Sequence, residues 1–136
     1  TKYAGFTSED SAEPWIGVNG NHIRINAADQ LKDPSSIFHY YQKLIALRKD
    51  SEISDIIAFG GIEPLDQKDP CVFAYRRKYE GHELIVAANF FGRTYPWKNA
   101  PELAGYRRVL GNYADTEFSA EGTAVMKPYE AAVWYR

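Results

Sequence analysis

Several things are scarce in this 136-residue sequence, and each scarcity excludes something. There is a single cysteine, Cys71. It cannot close an internal disulfide, and it has no partner thiol for a zinc site; it reads as a small hydrophobe half-buried in a strand. No apolar run approaches the ~18 residues of a membrane-spanning helix. Charge of one sign is not in excess: the formal net charge is −2. That leaves no electrostatic footprint for nucleic acid or for an anionic membrane. There is no internal repeat, no low-complexity tract, no Ser–His–Asp arrangement, no phosphate-cradling glycine loop and no metal-ligand motif. No cofactor or metal is expected. The chain opens on Thr1 without a signal peptide, which reads as a piece of something longer or a processed end.

What is abundant is aromatic: ten Tyr and three Trp. That composition suits strands, and also surfaces that stack on flat ligands. At this length one domain, or one domain with an extension, is expected. Residues 1–32 are irregular in pattern. Glu9, Asp10 and Glu13 form an acidic patch of loop composition, read as solvated. "VNGN" supplies a turn with Gly20 available for a positive φ. "NAADQL" is expected to make one or two helical turns capped by Asn26.

"DPSSIFHYYQKLIALRKDS" is the strongest helix signal. Asp33 is a good N-cap, and Pro34 falls where a missing N–H costs nothing. Ile37, Tyr41, Leu44 and Ile45 recur at helical spacing, with Tyr40 and Leu47 widening the stripe. Arg48 and Lys49 complement the macrodipole in the last turn. A stripe that broad needs a partner surface. Beyond it the pattern alternates. "IIAFGGIEPL" reads as two short strands, or one strand with a turn at Gly60 and Gly61. "CVFAYRRKY" alternates, "YEGHE" is a hairpin turn, and "ELIVAANFF" is apolar enough for a central strand. "TYPWK", "YRRVLGNY", "GTAVM" and "KPYEAAVWYR" bring the total to about seven strands. The fold class expected is mainly β: an antiparallel Greek-key sandwich preceded by an irregular loop and one long amphipathic helix.

Two readings of that order stand open. The helix covers a face of the sandwich, or it is the last helix of a larger α/β structure. The motifs "AGF" (4–6), "PWI" (14–16), "VNGN" (18–21), "IN" (25–26) and "DPSSIFHYYQKLIALRKD" (33–50) together resemble glycoside hydrolase family 13. The nearest subgroup is that of the oligo-1,6-glucosidases and α-glucosidases. "FAYRR", "LIVAANF" and "KPYEAAVW" resemble the C-terminal β-domain of the same enzymes. The resemblance implies that residues 1–52 are the loop and last helix of a (β/α)8 barrel, and that 53–136 are the C-terminal antiparallel β-domain. It departs from the family where Gly20 stands for Pro and His22 for an aromatic, and where "FTSEDSAEPW" is longer than usual.

Under that resemblance the chain is a structural fragment of a retaining α-glucosidase acting on short oligosaccharides, inactive alone. Retaining enzymes need two carboxyl groups ~5–5.5 Å apart, and none of the family's catalytic motifs lies in this sequence. The missing N-terminal barrel is the implied partner, with Ile37, Tyr41, Leu44 and Ile45 facing it. Burying four such side chains is worth roughly 1.5–3 kcal/mol each, so the isolated fragment is expected to dimerise or to carry a detached helix. Trp15, Asn19 and Asn21 are candidates for lining the substrate approach, with Trp15 as loop anchor. Tyr95 and Trp97 are candidates for a secondary sugar contact, against the plainer reading of core packing. Asp66 and Asp69 read as turn residues rather than calcium ligands, His39 as a packing residue and His82 as solvated in its hairpin turn. A bacterial, cytoplasmic location is implied. The alternative reading is a freestanding β-sandwich that binds α-glucans through surface aromatics.

Overall fold

A computed structural model describes residues 2–8, 10–49, 52–118 and 123–136. Glu9, Asp50 and Gly122, each within a segment singled out above, lie outside the described residues. The chain divides into two compact units, Thr1–Lys49 and Asp50–Arg136.

The first unit is built from turns and helices. Asn19 accepts a hydrogen bond from the Asn21 backbone N–H at 3.1 Å and starts a 3-10 turn, Gly20–Ile23. Gly20 therefore sits in a helical turn and needs no positive φ. The short helix α1, Ala27–Gln30, begins where the sequence places it: Asn26 Oδ1 accepts from the Asp29 N–H at 2.9 Å. Asn26 Nδ2 also donates to Asp29 Oδ2 at 2.7 Å. The first turn joins α1 through the Ala27 N–H, which donates to the Ala4 carbonyl at 2.7 Å. Gly5 has φ +80°, and a Cβ there would stand 2.4 Å from the Ala28 backbone nitrogen. Only glycine fits that junction.

The long helix α2 spans Ile37–Lys49, later than the Asp33–Pro34 start expected from sequence. Asp33 Oδ1 instead accepts from Ser35 N–H and Ser35 Oγ–H, closing a local turn. Ser36 takes the cap, because its carbonyl accepts from the Tyr40 N–H and its Oγ faces the His39 N–H at 3.4 Å. Two short polar residues after Asp33 compete for the same backbone donors, and the second wins. No residue of α2 is buried.

The second unit begins with helix α3, Ser54–Phe59. This corrects the expectation of a strand at Ile56 and Ile57. Ile53 and Ile56, at 1% and 3% exposure, recur at a three-residue interval and are covered; a short apolar run does not reveal its period until it packs. Strand β1, Gly61–Leu65, follows. β2 (Val72–Tyr79) and β3 (His82–Asn89) form a hairpin whose turn has Glu80 at φ 48° and Gly81 at φ 85°, the two left-handed positions of a tight hairpin. Then come β4 (Tyr95–Trp97), β5 (Arg107–Gly111), β6 (Glu117–Phe118), β7 (Ala124–Met126) and β8 (Ala131–Tyr135). That makes eight strands among the described residues, against about seven expected; the pair at β6 is too short to carry a pattern.

All pairings are antiparallel. One sheet runs β1-β2-β3-β8-β5 and the other β4-β7-β6. β3 is central, as its apolar run implies. Pro96 is tolerated because β4 lies on a sheet edge. Val72, Ala74, Ile85, Ala87, Ala132 and Trp134 of the first sheet meet Trp97, Ala124 and Met126 of the second in one buried cluster. Towards the other end of that face the residues become ionic. Glu83 accepts a hydrogen bond from the Tyr106 hydroxyl, and Arg136 and Arg76 lie 3.1 and 3.6 Å from its carboxylate. The Tyr106 bond, followed by these cations, holds the Glu83 carboxyl below the usual range.

Candidate functional site

In the first unit two hollows flank the initial turn. One, of about 410 Å³, is lined by Tyr3, Phe6, Ile16, Asn19, Asn21 and His22 among others. The second, of about 510 Å³, is walled by Ala4, Phe6, Ile25, Leu31, Ile37 and Tyr41 among others. Neither wall carries an Asp or Glu. Asn19 and Asn21 thus come together at one hollow. Trp15 does not line it and is 94% exposed, so it anchors nothing in this unit. His22 is the residue that sequence reading left without a role. Its Nδ1 is closed off from solvent and has no hydrogen-bond partner; the only signal was its place where the resembling family has an aromatic.

The apolar stripe of α2 is bare. Ile37 is 69% exposed, Tyr41 61%, Ile45 52% and Leu44 37%. Phe38 stacks edge-on with His39, whose Nδ1 lies 3.0 Å from Ser36 Oγ. His39 is thus a cap neighbour, in keeping with a structural role.

In the second unit the geometry corrects the pairing of Tyr95 with Trp97 as a sugar platform. Both rings turn to the core side of β4. Trp97 is 1% exposed, and its Nε1–H donates to Asp66 Oδ2 at 3.1 Å. Tyr95 is half-buried and donates its hydroxyl to Asp69 Oδ2 at 3.1 Å. Burial and then the Asp69 bond push the Tyr95 phenol upward. Asp69 Oδ1 also accepts from the Cys71 and Val72 N–H groups, each at 2.8 Å. Both aspartates therefore order the 66–71 turn. Cys71 is fully buried rather than half-buried, with Arg93 3.8 Å from its sulfur.

A buried carboxylate escaped sequence reading. Glu130 is 0% exposed and accepts from Thr116 Oγ1 at 2.6 Å and from the Lys127 N–H at 2.8 Å. It fixes the turn from β7 to β8. Among the described residues no group of three or more His, Cys, Asp or Glu could hold a metal ion, and no helix is long and apolar enough to cross a membrane.

Comparison with known proteins places these features. The α-amylase catalytic domain matches residues 1–56. An oligo-1,6-glucosidase of Halalkalibacterium halodurans is 40% identical over 136 residues, which is 98% of this chain and 23% of that protein. Trehalose-6-phosphate hydrolase of Escherichia coli is 38% identical over 132 residues, 96% of this chain and 22% of that one. A crystal structure of a Bacillus licheniformis trehalose-6-phosphate hydrolase mutant superimposes with a TM-score of 0.81 at 34% identity, covering 99% of this chain and 24% of that one. The chain spans about a quarter of the length of the relatives it matches. Its motifs, its antiparallel β-domain and these matches along nearly its whole length agree: the chain belongs to glycoside hydrolase family 13, the α-amylase family, as a segment of such an enzyme.

Proposed function

We propose that this chain is scaffold in a retaining α-glucosidase of the oligo-1,6-glucosidase type, and that it does not itself cleave glycosidic bonds. Residues 1–52 serve as the loop and last helix of a (β/α)8 barrel, and residues 53–136 as a Greek-key C-terminal β-domain. The catalytic carboxylates belong to polypeptide outside this chain. The observation that carries this reading is α2: a 13-residue amphipathic helix with no buried residue and with Ile37, Tyr41 and Ile45 more than half exposed. An apolar stripe of that breadth is unfavourable in water unless it is covered. The barrel outside this chain is the partner that supplies the cover. Without it, a second copy of the chain takes that place or the helix stays detached and bare.

The loop residues Trp15, Asn19 and Asn21 are assigned to the substrate approach of the intact enzyme. In barrels of this kind the active site lies on the face where such loops collect. The enzyme is placed in the bacterial cytoplasm, as the lack of a disulfide permits. The reading is tested by incubating the purified 136-residue chain with p-nitrophenyl α-D-glucopyranoside. No release of nitrophenol is expected; turnover that co-purifies with the chain and survives in host strains lacking α-glucosidases would overturn it.

A further inference from the structure

The core cluster uses one face of the five-stranded sheet and leaves the other. Val72, Ala74, Ile85 and Ala87 point into the cluster. By alternation Phe73, Tyr75, Arg77 and Tyr79 of β2 point the opposite way, with Phe73 paired to Ala88, Tyr75 to Val86 and Arg77 to Leu84. One end of this outer face is covered by α3. There the Arg77 guanidinium donates to the Gly60 carbonyl at 2.7 Å, and the Phe59 and Tyr79 rings lie 6.0 Å apart. The other end is bare. Phe73 and Phe90 meet edge to face, and both are more than half exposed. Tyr129, equally exposed, joins the adjoining turn through its N–H, which donates to the Phe91 carbonyl at 3.0 Å. We propose that this bare aromatic end docks on the barrel polypeptide outside this chain, with Tyr129 as the anchoring ring. The proposal rests on the scaffold reading and adds a second contact to that of α2.

The first support is backbone strain. Tyr129 has φ 54°, a left-handed conformation that a bulky side chain rarely adopts and that glycine would hold without cost. Both sides of its backbone are pinned: the N–H by Phe91, and the carbonyl by Asn112 Nδ2–H at 2.8 Å. The ring rests on Gly92, where a Cβ would stand 2.9 Å from the Tyr129 hydroxyl oxygen. Most of Tyr129 nevertheless stays in solvent. A strained residue held this firmly, with its side chain largely uncovered, marks a contact made outside the chain. The second support identifies the occupant. The α-amylase catalytic-domain match runs to residue 56, which lies in α3, the helix already seated on this face. The remainder of such a domain is what a chain of about a quarter of its relatives' length leaves out. Cover from that source therefore continues along a face where it has already begun. The third support is composition. Phe73, Phe90 and Tyr129 carry no charge, and exposed Ile62, paired with Arg77, extends the same face. Contiguous exposed aromatic surface of this kind belongs to an interface.

The test is hydroxyl-radical footprinting read residue by residue by mass spectrometry. It compares the 136-residue chain, at dilutions where it is monomeric, with a longer polypeptide carrying a preceding barrel. Phe73, Phe90 and Tyr129 should be labelled in the chain. In the longer polypeptide their labelling should fall to the level of the buried Trp97. Stability supplies a second readout. In the chain, Tyr129→Gly relieves the backbone and should hold the β-domain urea midpoint at or above wild type, and above that of Tyr129→Ala. In the longer polypeptide Tyr129→Gly should fall below wild type, because the docked ring is lost. Equal labelling in the two contexts would overturn the surface. A Tyr129→Gly midpoint below wild type in the chain, or not below it in the longer polypeptide, would overturn Tyr129 as the anchor. Protection that arises on concentrating the chain, and that the barrel does not increase, would assign the face to a second copy and overturn the barrel as occupant. Protected α2 amides beside labelled Phe73, Phe90 and Tyr129 would sink this contact and leave the scaffold reading in place.

Discussion

The two units spend their apolar residues in opposite ways. In Asp50–Arg136, Ile85, Ala87 and Met126 are at 0% exposure and Trp97 is at 1%. In Thr1–Lys49 the apolar residues described as buried are Tyr3 and Ala4, while Phe6, Trp15, Ile23, Ile37 and Tyr41 are more than 60% exposed. Both stretches have patterned hydrophobicity. The difference teaches that pattern states what a segment is made to bury, and that the burying surface need not lie in the same chain. β-strands of the second unit find their partners within it. Helix α2, at 13 residues, is about the length at which an isolated helix is marginal in water.

Substitutions should separate the units sharply. The largest effect is expected for Ile85→Ala, which empties the centre of the two-sheet cluster. Replacing a buried Ile by Ala costs about 2–5 kcal/mol, read as a lower urea midpoint for the β-domain transition. Next is Gly5→Ala in the first unit. Its left-handed φ costs an L-residue about 1–2 kcal/mol, and the collision with Ala28 adds to that. The expected readout is loss of hydrogen-exchange protection at the Ala27 amide, with the β-domain midpoint unchanged.

A smaller effect is expected from pH in the second unit. Glu83 has a folded-state pKa below its ordinary value, through the Tyr106 bond first and the neighbouring cations after it. A depressed carboxylate contributes stability above its unfolded pKa, and that contribution is lost as pH falls through the folded one. Wild type should therefore lose β-domain stability on acidification below the usual carboxylate range. Glu83→Gln should start lower and show a shallower acid slope, measured by thermal melts from neutral to acidic pH. The smallest effect is expected for Ile37→Ala. At 69% exposure it should change the stability of the isolated chain by no more than about 0.5 kcal/mol. A loss of several kcal/mol there would show that the stripe is already covered and would erase the contrast between the units.

Much of the β-domain was legible. Alternation in Val72–Tyr79 and the apolar run of β3 gave strand type and central position, because those segments are dictated by local pattern. Asn26 gave the start of α1 for the same reason. The start of α2 was misplaced by several residues, since Asp33, Ser35 and Ser36 all compete for backbone donors and sequence does not say which succeeds. Ile56 and Ile57 fit a strand as well as a helix, because four or five apolar residues fit either period. Tyr95 and Trp97 were correctly placed on one face of an edge strand. Which face was not legible, because that depends on Asp66, some thirty residues away. The family motifs in residues 1–50 pointed to the family; where its chemistry lies is the subject of the proposal above.

The most direct test compares amide hydrogen exchange of α2 with that of β3, in the isolated chain and in a longer polypeptide carrying a preceding barrel. The account predicts that β3 amides exchange only through global unfolding in both. It predicts that α2 amides, fast in the isolated chain at dilutions where it is monomeric, become protected in the longer one. Protection of Tyr41, Leu44 and Ile45 amides equal to that of β3 in the isolated monomeric chain would contradict it.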